Sequence, residues 1–182
     1  PGEYNGLNTP SQVNFGGAVH VYARNNDTWT VHSRVTSSEA EDSDRFGTQL
    51  AISGDGQTLA VGAPHRKGFL APDALHPSGR YVSSVGAAYV LTRNGATWTQ
   101  QTALKPPVIE STAFGTALAL STDGNTLAVG APGYTDAVTP RPVSPPDTAA
   151  PGTVYTFHRQ VGQWSQQALL KPAISEKLEG FG

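Results

Sequence analysis

Apolar residues fall in short runs along the chain, none long enough to suggest a signal-peptide core or a membrane span, and turn signals close the clearest of them. The clearest run is Leu50-Ala51-Ile52-Ser53-Gly54-Asp55-Gly56-Gln57-Thr58-Leu59-Ala60-Val61-Gly62-Ala63-Pro64. It reads as two strands around Asp55-Gly56, a dipeptide suited to the positive φ of a tight hairpin turn. Pro64 removes a ladder donor and ends the second strand. The pattern then returns at Leu118-Ala119-Leu120-Ser121-Thr122-Asp123-Gly124-Asn125-Thr126-Leu127-Ala128-Val129-Gly130-Ala131-Pro132.

Other landmarks repeat with it. Gly17-Ala18-Val19-His20-Val21-Tyr22, Gly86-Ala87-Ala88-Tyr89-Val90-Leu91 and Gly152-Thr153-Val154-Tyr155-Thr156-Phe157 align, and each leads through a polar turn to Trp29, Trp98 or Trp164. A Phe-Gly pair follows each time, at Phe46-Gly47, Phe114-Gly115 and Phe181-Gly182. The landmarks recur every 66 to 69 residues or so, the signature of a repeat architecture.

Each unit predicts four strands. In the first full unit they run from Phe46 to about Ser53, from Gln57 to Ala63, from Gly86, and through Trp98, with Asn94-Gly95 as the turn between the last two. In the next they begin near Phe114, Asn125, Gly152 and Gln163. A lone four-stranded sheet cannot bury both faces, so copies must stack, and radial stacking of such blades makes a propeller. The predicted fold is all-β: about two and a half four-stranded antiparallel blades of a β-propeller. Residues 1–45 would supply a partial blade with leading and linking loops, 46–113 and 114–180 two full blades, and 181–182 the start of another. Gly62-Ala63 and Gly130-Ala131 are assigned to crowding near a central channel, and the Phe and Trp rings to the wedge between blades.

Composition narrows the function. Twelve Lys and Arg stand against 14 Asp and Glu for a net charge of −2, without a basic run, which argues against nucleic acid as a partner. The 20 Gly and 14 Pro suit short strands and many turns. Cysteine is absent, which removes disulfides, thiol catalysis and Cys-based metal sites together.

Phe-Gly, then Leu-Ala-Val-Gly-Ala-Pro, then Gly-Ala-Val-x-Val-Tyr and a downstream Trp resemble FG-GAP repeats, the blade unit of integrin α-subunit propellers and of many bacterial and fungal extracellular proteins. Here the FG is Phe46-Gly47 and Phe114-Gly115, and the GAP is Gly62-Ala63-Pro64 and Gly130-Ala131-Pro132. The resemblance spans about residues 17 to 182 and implies a six- or seven-bladed propeller, secreted or on the cell surface, serving adhesion or recognition. Many relatives carry an Asp-x-Asp-x-Asp-Gly-x-x-Asp calcium loop in the first hairpin, since Ca²⁺ needs six or more oxygen ligands. Alignment on Asp55-Gly56 puts Ala51, Ser53 and Leu59 where the other carboxylates belong, and the second copy offers Ala119, Ser121 and Leu127. No cofactor is expected, calcium included; Asp55 and Asp123 read as turn residues.

Two regions are candidate sites. The inserts between second and third strands, 65–85 and 133–151, should emerge on one face with the blade-to-blade loops, where long loops on a rigid scaffold carry function. They offer His65, Arg66, Lys67, Phe69, Arg80 and Tyr81, and Tyr134 and Arg141 in a Pro-rich stretch, as contacts for a protein or glycan ligand, although the Pro-rich stretch reads first as a solvated or O-glycosylated loop. An acidic cluster, Glu39, Glu41, Asp42 and Asp44, lies in a blade-to-blade loop; it reads as a solvated loop, with a cation site or paired carboxylates for sugar hydrolysis as alternatives. Asn26-Asp27-Thr28 fits an N-glycosylation acceptor. His20 and His158 read as sheet-face residues, and no catalytic motif is present.

The reading is therefore an extracellular recognition or adhesion scaffold and not an enzyme, with a secreted carbohydrate-active enzyme and a structural subunit of an extracellular assembly as rivals. Because two and a half blades cannot close a ring, the chain is expected to continue at both ends or to be completed by other copies.

Overall fold

The computed structural model describes residues 16–39, 41–107, 112–132, 152–173 and 181–182; Tyr134, Arg141 and the rest of the Pro-rich insert lie outside them. The described residues are all-β, without helix. β1 (Val19–Asn25) and β2 (Thr28–Val35) form a two-stranded sheet. β3 (Gln49–Ile52), β4 (Thr58–Ala63), β7 (Ala87–Asn94) and β8 (Thr97–Leu104) form a four-stranded antiparallel sheet in the order β3-β4-β7-β8. β9 (Ala117–Leu120), β10 (Thr126–Ala131), β11 (Thr153–Gln160) and β12 (Gln163–Leu170) repeat it. The sheets are blades of an open, partial β-propeller. β5 (Gly68–Leu70) and β6 (Arg80–Val82) add a small hairpin inside the 65–85 insert, which the sequence reading left without strands.

The cores lie between blades. Every residue of β4 is buried, because the central blade is covered on both sides. Alternation divides them: Leu59, Val61, Ala63, Ala87, Tyr89 and Leu91 join Val19, Val35 and Phe46 on one side. Ala60, Ala88, Val90 and Leu104 meet Phe114, Leu127, Val129, Tyr155 and Phe157 on the other. Phe46 meets Tyr89 edge-on at 5.4 Å between ring centroids, and Phe114 meets Tyr155 in the same way at 5.2 Å. The tryptophans meet the wedge expectation only in part. Trp98 and Trp164, on outermost strands, are only half-buried against the neighbouring core, and Trp29 is 64% exposed.

The small residues also have a different cause from channel crowding. A Cβ on Gly62 would lie 2.1 Å from the Gly115 carbonyl oxygen of the next blade, and one on Gly130 would lie 2.4 Å from the Gly182 carbonyl carbon. Within each blade the Gly47 amide donates to the Gly62 carbonyl (3.0 Å) and the Gly115 amide to the Gly130 carbonyl (2.9 Å). The FG of one blade thus docks backbone-to-backbone on the GAP of the blade before it, and only glycine permits that approach.

Hairpin geometry departs from expectation too. The β3–β4 loop is no two-residue turn: Ser53 and Thr58 close it around four residues, and only Gly56, not Asp55, has positive φ (67°). The Asp55 carboxylate accepts the Ser53 hydroxyl (2.6 Å) and the Gln57 amide (2.9 Å), and Asp123 accepts Ser121 (2.5 Å) and the Asn125 amide (3.0 Å), so both act as turn residues. These donors hold the Asp123 carboxyl at about 2, with Ser121 the largest contributor. The β7–β8 turn is centred on Gly95-Ala96 and not on Asn94-Gly95.

In the β11–β12 turn Val161 and Gly162 both have positive φ, 48° and 77°, and Val161 is fully exposed. A β-branched residue is disfavoured there, whereas Asn-Gly suits such a turn. Val161→Asn is expected to stabilise the fold by about 1 kcal/mol, read as a higher urea midpoint; an unchanged or lower midpoint would contradict the turn assignment.

Candidate functional site

The blade-to-blade loop at 36–46 and the insert at 64–86 lie side by side. Glu39 fastens them: its Oε2 accepts Arg66 Nη2 at 2.9 Å and Lys105 Nζ at 3.0 Å, so one carboxylate ties the loop, the insert and the end of β8. The Glu39 carboxyl sits below the ordinary carboxylate range, first through the Lys105 hydrogen bond and further through both positive charges, against some opposition from burial. Arg66 also anchors the insert through its backbone carbonyl, which accepts the Gly86 amide at 2.9 Å. One member of each group singled out in the sequence, Glu39 of the acidic run and Arg66 of the basic insert, thus joins Lys105 in one ionic network.

The acidic run is therefore no uniform solvated loop. Asp44 is 1% exposed, and its Oδ2 accepts the Glu41 amide at 2.9 Å. Burial is the largest influence on its carboxyl and raises its pKa, against the Glu41 hydrogen bond and the Arg66 charge. Glu41 and Asp42 stay exposed, and among the described residues no three His, Asp or Glu side chains converge as a metal site would need.

Because the folded state holds the Asp44 proton more tightly than the unfolded chain, this residue makes stability fall as pH rises from the ordinary carboxylate range through the raised value. Asp44→Asn keeps an oxygen for the Glu41 amide without the buried charge. It is expected to be at least as stable at neutral pH and to flatten that slope in urea titrations between about pH 4 and pH 7. Asp44→Ala is expected to lose about 1 kcal/mol with the Glu41 hydrogen bond. A slope unchanged in the Asn variant would move its origin to another group.

Beyond the network the surface opens into two adjoining clefts that share Lys67 and Ser83. One, of about 320 Å³, is lined by Ser43, Arg45, His65, Lys67, Ser83 and Ser84. The other, of about 330 Å³, adds Glu41 and Tyr81. Tyr81 and Phe69 face each other across the β5–β6 hairpin at 5.1 Å and are 68% and 48% exposed. Arg80 is half-buried in the same hairpin. Arg45, Ser43 and Ser84, not singled out as contacts from the sequence, become visible only when the loops meet.

The remaining candidates lie elsewhere. Asn26 sits with φ 53° in the exposed β1–β2 turn, its carbonyl accepting Arg24 Nε at 2.8 Å. His158 Nδ1 meets the Thr126 hydroxyl across the sheet at 3.3 Å, and His20 is exposed on β1.

No curated protein matches the chain. Residues 29–91, from Trp29 through the first Phe-Gly and Gly-Ala-Pro to Leu91, match the family model described as FG-GAP repeat. That match, with the backbone docking of Phe-Gly on Gly-Ala-Pro recurring from blade to blade, supports an FG-GAP repeat protein.

Proposed function

We propose that this chain is an extracellular recognition or adhesion scaffold that binds a protein or glycan ligand on the loops at one end of its blades. FG-GAP repeats occur in adhesion-type and propeller proteins, and the finer reading rests on one observation. The loop at 36–46 and the insert at 64–86 are locked together by Glu39, Arg66 and Lys105, with an exposed aromatic pair, Phe69 and Tyr81, held beside polar clefts. Exposed aromatics on a rigid frame suit recognition, since they give contact area at small entropic cost.

The same reading assigns the outward apolar surfaces to further blades, from the same chain or from other copies. Leu118 and Leu120 pack on the core, while Leu50 and Ile52 at the equivalent positions are exposed. Among the described residues no helix is long and apolar enough to cross a membrane.

The test replaces residues 68–82 by a short Gly-Ser linker and compares both proteins on glycan and secreted-protein arrays. The expected result is an unchanged melting transition with loss of the array signal. Retained binding would overturn the reading, as would glycan cleavage abolished by alanine at Glu41 and Asp44.

A further inference from the structure

Resting on that reading, we infer that the cleft between the 36–46 loop and the β5–β6 hairpin binds an acidic saccharide, with Arg45 and Lys67 taking its carboxylate or sulfate and Tyr81 stacking on the ring beside it. The lining carries the argument. Ser43, Arg45, His65, Lys67, Ser83 and Ser84 bring two permanent cations, a titratable imidazole and three hydroxyls to one concavity, without a carboxylate among them. The other basic groups here, Arg66 and Lys105, are engaged by Glu39, whereas Arg45 and Lys67 have no ion pair among the described residues. Charge-assisted hydrogen bonds to an anionic oxygen are the strongest use of such groups, and hydroxyls around them suit a sugar.

The repeat shows that the chemistry belongs to this junction and not to the blade. Arg45 has φ 55°, and Ala113, its counterpart before the next Phe-Gly, has φ 51°. The left-handed backbone is thus a blade feature, but only this copy puts a guanidinium on it. Ser43 and Ser84, with φ 72° and 54°, line the same cleft, so three non-glycine residues in an uncommon conformation converge there, as they often do at functional sites.

A saccharide is favoured over an acidic peptide by Tyr81, which lines the adjoining cleft with Lys67 and Ser83 and offers its ring to solvent beside Phe69. The cleft volumes suit one or two sugar units at the edge of a longer chain. His65 adds a pH dependence. Burial, and then the neighbouring Arg45 charge, hold its pKa below the usual value, so it is neutral at pH 7 and adds a positive charge only in more acidic solution. The acidic groups around the cleft are Glu41, which lines its adjoining part, the buried Asp44, whose carboxyl feels the Lys67 charge, and the exposed Asp42 beside Ser43.

The experiment is isothermal titration of the full chain with an oligogalacturonate, a chondroitin sulfate oligosaccharide and a neutral cello-oligosaccharide, in parallel with an acidic peptide. The expected result is binding of one or both acidic saccharides, the carboxylate and sulfate arms telling the sources apart, with affinity rising in solution more acidic than the ordinary imidazole range. Arg45→Ala, a change that Ala113 shows the backbone to accept, and Lys67→Glu should each weaken binding about tenfold or more, and Tyr81→Ala should weaken it without altering the pH response. Several results would overturn the inference: no acidic saccharide bound, equal affinity in the Arg45 and Lys67 variants, or preference for the peptide. If neutral glycans or proteins still bind in a hairpin-dependent way, the scaffold reading survives and only the acidic-saccharide assignment fails.

Discussion

Gly62→Ala is expected to destabilise the protein by about 3 kcal/mol or more, at the upper end of what overpacking costs. The added Cβ would lie 2.1 Å from the Gly115 carbonyl oxygen, and that oxygen is backbone, unable to rotate aside as a side chain would. Gly62 has no positive φ, so the cost is steric and not a matter of backbone conformation. Gly56→Ala provides the contrast. Nothing lies within 4 Å of its Cβ position, but its φ is 67°, so only the left-handed penalty of about 1 kcal/mol applies. Urea denaturation of both variants checks the account: equal losses would mean that the blades can separate enough to admit a methyl group.

That contact also marks where sequence reasoning reaches its limit. Strand order was legible because alternation and turn residues are local, and because the repeat gave each strand a second witness: Gln57 to Ala63 was expected and β4 covers Thr58–Ala63. The reason for Gly62 was not legible, since its partner Gly115 is more than fifty residues away and in another blade. Trp98 and Trp164 were rightly placed on fourth strands, but a fourth strand is the outer one, where a ring is covered on one side only. Tyr81 and Lys67 could be singled out as exposed loop chemistry. Their union with Arg45 could not, because it depends on Glu39 reaching Arg66 across 27 residues. Asp44 was hidden for a similar reason: in a run with Glu39, Glu41 and Asp42 it looks solvated, and only the fold shows that one carboxylate of the run is buried.

Phe114→Ala is expected to cost about 3–5 kcal/mol, the range for removing a buried aromatic ring. Its motif equivalents separate the effect of the ring from that of the sequence position. Phe114 is fully buried, meets Tyr155 at 5.2 Å and Phe157 at 6.1 Å, and belongs to a core drawn from two blades, with Ala60, Ala88, Val90 and Leu104 on one side and Leu127 and Val129 on the other. Phe181 occupies the same place in the repeat but is 37% exposed, so Phe181→Ala should cost far less. Loss of the Phe114 ring also has a consequence for cooperativity, because stacked repeats unfold together only while the interface between them outweighs the difference in their own stabilities. Calorimetry should therefore show one transition in the parent protein and, in Phe114→Ala, a van't Hoff enthalpy well below the calorimetric one, as the central and following blades melt apart. A variant that lost stability but kept the two enthalpies equal would show that the glycine docking couples the blades without the ring.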